Sequence, residues 1–133
     1  MSGGEKVTEP RRNAQAAWNT DIAQEIQEEH PGALLAVMGD LNSYYKSLPL
    51  QTLENSGLIN LFDWLEPEER YSYVYQGSSQ VLDHILVNEN LEAYLVEVEV
   101  LHCNADFPLP LSDDEGFIHK SDHDPVVGTF LMP

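Results

Sequence analysis

The stretch Ala33-Leu34-Leu35-Ala36-Val37-Met38-Gly39-Asp40-Leu41-Asn42-Ser43 constrains the fold more than any other part of the chain. Its apolar run, ending at Gly39, predicts a buried strand that stops abruptly with a polar Asp-x-Asn at its carboxyl edge. That edge is where open α/β sheets place ligands. Gly39 lets the backbone turn without a side chain in the way, and Asp40 and Asn42, two residues apart in an extended loop, point to the same side. A carboxylate beside an amide suits holding a metal-bound water next to a phosphate. For an isolated Gly-Asp-x-Asn, the simpler alternative is an Asx-turn after a strand. The chemical reading gains weight from a second polar cluster, Ser121-Asp122-His123-Asp124-Pro125, just ahead of another apolar run.

Around this stretch the period of the apolar residues sets the element order. Thr8 is a candidate cap for a helix from about Glu9 to Glu29, with Pro10 tolerated in its first turn. Ala14, Trp18, Ile22 and Ile26, with Ala17 beside them, form its apolar stripe, so Trp18 is expected to anchor the core. His30 stands at the helix C-terminus, where a capping role outranks a ligand role, and Pro31-Gly32 stops the helix. Leu48 to Asn55 reads as a short helix closed by Gly57, and Leu58 to Leu65 as helical or irregular. The period then changes to two: Tyr71, Tyr73 and Tyr75 give a strand with an aromatic face, Gln76 to Gln80 a hairpin turn, and Val81 to Val87 the returning strand. Asn88 to Tyr94 makes a short helical turn, Leu95 to Cys103 a long strand, and Val126 to Met132 a last one. Asn104 to Ser121, rich in Pro and Asp, is long enough to suggest a functional loop. The order predicts an α/β fold with a mixed β-sheet flanked by helices.

Composition excludes some functions. With 6 basic and 23 acidic residues the 133-residue chain carries a net charge of -17, far from that of a free-standing DNA-binding domain. The acidic side chains read mostly as solvated faces, so any nucleic-acid contact needs cations or basic residues from elsewhere. Cys103 is alone, which rules out an intrachain disulfide, and it reads as a small core residue. No stretch is long and apolar enough for a transmembrane helix, and Met1 to Val7 lacks the apolar core of a signal peptide.

Three strand ends carry polar residues: Asp40 and Asn42, Asp83 and His84, and Asp122 and His123. Asp83 interrupts the apolar run Val81 to Val87, and a carboxylate there needs a partner if it is buried. His123 is the economical choice, since the carboxylate would hold its imidazole in one tautomer and make it more basic. The alternative is a surface-facing Asp on an edge strand. His84 alternates to the opposite face and reads as structural. Pro125 keeps Asp124 extended. A carboxylate able to take a hard cation beside an imidazole able to take a proton is the equipment of a metal-assisted phosphodiesterase.

Taken together, Gly39-Asp40-Leu41-Asn42-Ser43, Leu82-Asp83-His84-Ile85-Leu86 and Ser121-Asp122-His123-Asp124-Pro125-Val126 resemble the motifs of the endonuclease/exonuclease/phosphatase superfamily, in the family's order. Within it, Tyr71 to Gly77 leading into Leu82-Asp83-His84, followed by His102-Cys103-Asn104-Ala105-Asp106, look most like secreted bacterial non-specific nucleases of the extracellular deoxyribonuclease type. The resemblance implies that Asp40 orients or deprotonates the attacking water and Asn42 positions the scissile phosphate. Asp83 would orient His123, and His123 would contact the phosphate and handle a proton. Asp122, with Asp40, would approach a metal, Mg²⁺ or Mn²⁺. It further implies a DNA or other phosphodiester substrate and an extracellular location.

Domains of that family are about twice this length, and their first half supplies an Asn, a metal-binding Glu and a His that are not found here. The expectation is therefore that residues 9–133, after a linker start at 1–8, form the C-terminal half of such a domain, one half of a four-layer α/β/β/α sandwich. Weak or absent metal binding and little activity follow. So does self-association, with a second copy covering the sheet face left bare, in a homodimer. Three functions stay open: a metal-dependent nuclease or its C-terminal half, a phosphoesterase of the same fold acting on a lipid or sugar phosphate, and a non-catalytic interaction fragment.

Overall fold

A computed structural model describes residues 5–107 and 120–132. The chain begins with α1 (Glu5–Glu29), followed by β1 (Ala36–Asp40), α2 (Leu48–Asn55) and the short β2 (Ile59–Asn60). Two 3₁₀ turns, Leu61–Trp64 and Pro67–Glu69, lead to β3 (Tyr73–Tyr75) and β4 (Ser78–Gln80). Then come β5 (Asp83–Val87), α3 (Glu89–Glu92), β6 (Leu95–Val100) and β7 (Val126–Phe130). The architecture is α/β. The ladders are β1-β5-β2, β3-β4 and β6-β7, and every one among the described residues is antiparallel, with no parallel pairing of the kind a mixed sheet contains.

β5 is the centre of the packing. Its pleat sends Leu86 toward a cluster with Ala16 and Ala23 of α1 and Leu50, Leu53 and Leu58 around α2. Ile85 and Val87 point the other way, into a cluster with Leu61 and Leu91 that Val98, Val126 and Phe130 of the β6-β7 pair complete. Helices therefore cover one face of β1-β5-β2, and the β6-β7 pair covers the β5 part of the other, leaving Met38 of β1 exposed on that face. Asn88 caps α3 by accepting from Leu91 N–H, and its amide also ties Leu35 N–H and the Ala33 carbonyl, pinning the entry to β1.

Several expectations need correction. α1 starts at Glu5, four residues before Glu9, so Thr8 lies inside the helix and its hydroxyl accepts from the Arg12 guanidinium instead of capping. The buried face of α1 is Arg12, Ala16 and Ala23, while Ala14 and Ala17 are exposed and Trp18 is 66% exposed. The small residues Ala16 and Ala23 of this face join a cluster whose bulk comes from Leu50, Leu53, Leu58 and Leu86. β1 is not buried: it is an edge strand, with Met38 68% exposed and only Val37 and its neighbour Leu35 turned to the core. The strand returning from Tyr73–Tyr75 is Ser78–Gln80, across a two-residue turn in which Gln76 and Gly77 both take positive φ (50° and 77°). Val81–Val87 leaves that hairpin, and its β5 portion pairs with β1 and β2. Much of the expected loop Asn104 to Ser121 falls at 108–119, outside the described residues.

Candidate active site

The site forms where β1 and β5 end together. Asp40 and Asp83 are opposite one another at the close of the ladder, and Leu41 N–H extends the pairing to the Leu82 carbonyl. Gly39 has φ 138°, which an L side chain rarely adopts. Asn42 then takes φ 48°, a left-handed conformation that Asn tolerates. Its backbone N–H donates to Asp40 Oδ1 at 2.9 Å, and its side-chain Nδ2 donates to Oδ2, also at 2.9 Å. The Asx-turn alternative is thus present, and it locks Asp40 and Asn42 into one unit.

His84 supports this loop from below. Asn60 Oδ1 accepts from Phe62 N–H, so Asn60 Nδ2 is the donor to His84 Nδ1 (3.2 Å), and His84 Nε2–H donates to the Ser43 carbonyl at 2.8 Å. Burial pushes the imidazole below its ordinary value, in keeping with a neutral ring. His84 is structural, as the strand alternation predicts.

Asp83 and His123 meet directly, with Nδ1 donating to Oδ2 at 2.6 Å. The contact joins residues forty apart in sequence because Tyr73 forms an isolated antiparallel bridge to His123. The Tyr73 ring lies 4.8 Å from the imidazole, tilted by 33°. Ser72, fully buried, donates its hydroxyl to the same Asp83 Oδ2 at 2.7 Å and accepts from Leu82 and Asp83 N–H. Two donors therefore fix this carboxylate oxygen. His123 retains Nε2 toward the outside, with its side chain 23% exposed.

A second carboxylate–imidazole pair adjoins the first. Asp124 is 2% exposed, and its Oδ1 accepts from three successive backbone N–H groups, of Cys103, Asn104 and Ala105, at 2.8 to 3.1 Å. Its Oδ2 accepts from His102 Nδ1 at 2.9 Å. Burial acts to raise the Asp124 carboxyl, but these hydrogen bonds outweigh it and hold the group below the usual carboxylate value. His102 stacks on Tyr71 with ring centroids 4.0 Å apart, and Tyr71 donates to Asp106 at 2.8 Å. Asn104 Nδ2 donates to the His123 carbonyl, and Asp124 N–H donates to the Ser72 carbonyl at 2.7 Å. His123 is thus braced on both sides.

Of the residues the sequence singled out, Asp40, Asn42, Asp83 and His123 come together at one rim, and Asp122 stands exposed beside His123. Ser72, His102 and Asp124 as anchors were not foreseen. A serine between tyrosines on the core side of an aromatic strand, and a second Asp after Asp-His, were the signals. As a metal site the group is thin. Asp40 accepts one hydrogen bond from Asn42 on each oxygen and keeps a lone pair on each, Asp83 Oδ2 is taken by two donors, and no three His, Cys, Asp or Glu side chains gather as a cation cage among the described residues. Asp40 and Asp122 are oxygen donors of the kind a hard cation takes, and two carboxylates are fewer than such an ion needs, so further ligands would have to come from elsewhere.

The chain belongs to the endonuclease/exonuclease/phosphatase family, whose profile matches residues 1–105. Asp40, Asn42 and Asp83 fall inside the matched segment. Enzymes of the family generally depend on a divalent metal. Among solved structures the chain is similar to the 3′-5′ exonuclease NExo from Neisseria meningitidis, at 23% identity and a TM-score of 0.63, over 86% of this chain and 51% of that one. It is also similar to the Neisseria 3′ phosphatase NExo bound to a product DNA hairpin, at 21% identity and a TM-score of 0.60, over 88% and 52%. The chain therefore spans about half the length of the solved structures it matches. Comparison with curated proteins finds no match.

Proposed function

We propose that this chain supplies one part of the active site of a nucleic-acid phosphodiesterase, with the remaining part coming from sequence equivalent to the other half of its structural neighbours. The observation that carries the reading is the 2.6 Å contact from His123 Nδ1 to Asp83, set opposite the Asp40–Asn42 turn. Asp83 holds the imidazole with its proton on Nδ1, so Nε2 is the atom that meets a phosphate oxygen and takes or gives a proton. Asp40, beside it, accepts from an attacking water. Asn42 spends one amide hydrogen on Asp40 and keeps the second for a phosphate oxygen. When Mg²⁺ or Mn²⁺ is bound by the whole domain, it supplies neutralisation of phosphate charge. This chain alone is expected to cleave weakly or not at all and to self-associate through exposed apolar residues such as Met38. An extracellular setting belongs to the same proposal.

Removal of a terminal 3′-phosphate is the second reading, favoured by the phosphatase among the neighbours. Assays on a labelled duplex with an internal diester and on one with a 3′-phosphate, with Mg²⁺ or Mn²⁺, separate the two. Cleavage should be recovered when an N-terminal half is supplied and should fall at least a hundredfold in His123→Ala. Full activity of that variant in the complemented protein would overturn the proposal.

A further inference from the structure

A cavity of about 450 Å³ opens between α1, α2 and the loop after β1, within the size range of small-molecule sites. Its lip is the Asp40–Asn42 turn, so it adjoins the rim where the phosphate is placed. Leu50 and Leu53 of α2 make an apolar wall, and both are fully or almost fully buried. On the α1 side it is lined by Trp18, Gln15, Asn19 and Arg12. Trp18 is 66% exposed although it is the largest apolar side chain of the helix, and a tryptophan left in water beside a cavity calls for a partner. Arg12 is 8% exposed, which places one of the chain's 6 basic residues in the cavity wall.

We infer that this cavity is a nucleobase subsite: it takes the base of the nucleotide flanking the phosphate at Asp40–Asn42, stacked on Trp18. The inference rests on the nucleic-acid reading above and names the part of the substrate that the chain itself holds. The chemistry selects a base over a bare anion. A net charge of -17 repels a phosphate backbone, whereas stacking on an aromatic ring tolerates an acidic surface because it engages the neutral face of the base. Gln15 and Asn19 each offer an amide donor and acceptor to a base edge. Arg12 adds one buried cation to the cavity wall, with its guanidinium donating to Thr8.

The test is binding of a 5′-fluorescein deoxytrinucleotide to the whole chain, read by anisotropy without added metal. Base stacking on one aromatic ring predicts that Trp18→Ala weakens binding about tenfold while Trp18→Phe stays within about threefold of wild type. Deoxyadenosine monophosphate should compete and inorganic phosphate at the same concentration should not. Equal affinity of wild type and Trp18→Ala, competition by phosphate alone, or no saturable binding at millimolar nucleotide would each overturn the subsite. His123→Ala removes the atom that meets the phosphate, so it is read by cleavage in the complemented protein and not by this binding assay. Loss of cleavage in that variant with Trp18-independent binding would leave the hydrolase standing without the subsite. Trp18-dependent binding with no cleavage in the complemented protein would do the reverse.

Discussion

Asp124→Ala is the substitution whose effect follows most directly from the geometry. The carboxylate is almost fully buried and accepts four hydrogen bonds, three from successive backbone N–H groups and one from His102. Alanine leaves three backbone donors facing a small hole, at roughly 1 kcal/mol each, and strands His102 Nδ1 for about 1 kcal/mol more, some 4 kcal/mol in total. That is a large share of the ~5–15 kcal/mol that holds a domain together. Asp124→Asn should be much milder. The amide oxygen can keep the three backbone bonds, and His102 can move its proton to Nε2 so that Nδ1 accepts from the new amide nitrogen. A cost of about 1 kcal/mol is expected. Urea unfolding followed by circular dichroism separates the two, because at a slope of about 2 kcal/mol/M the alanine variant should lose about 2 M in midpoint and the asparagine variant about 0.5 M. The acid limb adds a sign. The folded carboxyl lies below its usual 3.8, so the contribution of Asp124 is complete above that value and fades as pH falls through the lowered folded value. The alanine variant should therefore show a shallower acid transition. If Asp124→Ala loses less than about 1 kcal/mol, the three-donor clamp is not what holds the 103–105 turn.

Further expectations follow from the same packing. Asp83→Asn would offer an amide where His123 needs an acceptor, so in the complemented protein kcat should drop by more than tenfold with KM little changed, and a nitrogen NMR spectrum should show the Nδ1–H tautomer of His123 lost. A Cβ at Gly128 would sit 3.0 Å from Leu61 Cδ1 and 3.2 Å from Phe130 Cε2, so Gly128→Val should destabilise the β6-β7 layer by about 1–3 kcal/mol in the same urea assay. Tyr71 is pushed up to about 12, by burial first and then by its bond to Asp106, so its ultraviolet titration should lag behind an ordinary tyrosine. A midpoint near 10 would refute the contact. Trp18→Ala should change stability by less than about 0.5 kcal/mol, which a core anchor could not do.

Local signals in this chain were readable wherever a residue type has few conformational uses. Gly57, with φ 94°, closes α2, which spans Leu48–Asn55 as expected, and Asn88 caps α3 where a short helical turn was foreseen. The misreadings arise where tertiary contact decides between residues of similar propensity. Along α1, Trp18 and Ile22 form the more hydrophobic stripe, yet Ala16 and Ala23 are buried because Leu50, Leu53, Leu58 and Leu86 pack on their side of the helix. Ser78-Ser79-Gln80 looks like turn and not strand. Only the positive φ at both Gln76 and Gly77 gives a tight two-residue turn, which makes the serines the returning strand and frees Val81–Val87 for the central sheet.

The same distinction explains the site. Polar residues at strand ends announced Asp40, Asp83 and His123, because an isolated carboxylate in an apolar run needs a partner and an imidazole is the cheapest one. What no local pattern could give is how the partner is kept in place. Ser72 and Asp124 do this through backbone groups of segments distant in sequence: Ser72 accepts from the strand that carries Asp83, and Asp124 from the turn at 103–105, while Asp124 N–H and the Ser72 carbonyl bond to each other. Each anchor therefore holds one member of the Asp83–His123 pair, and the bond between the anchors sets the distance between those members. A substitution at either anchor should be felt at His123 Nε2 as well as in the fold, which makes the tautomer of His123 a readout of this region beside its melting.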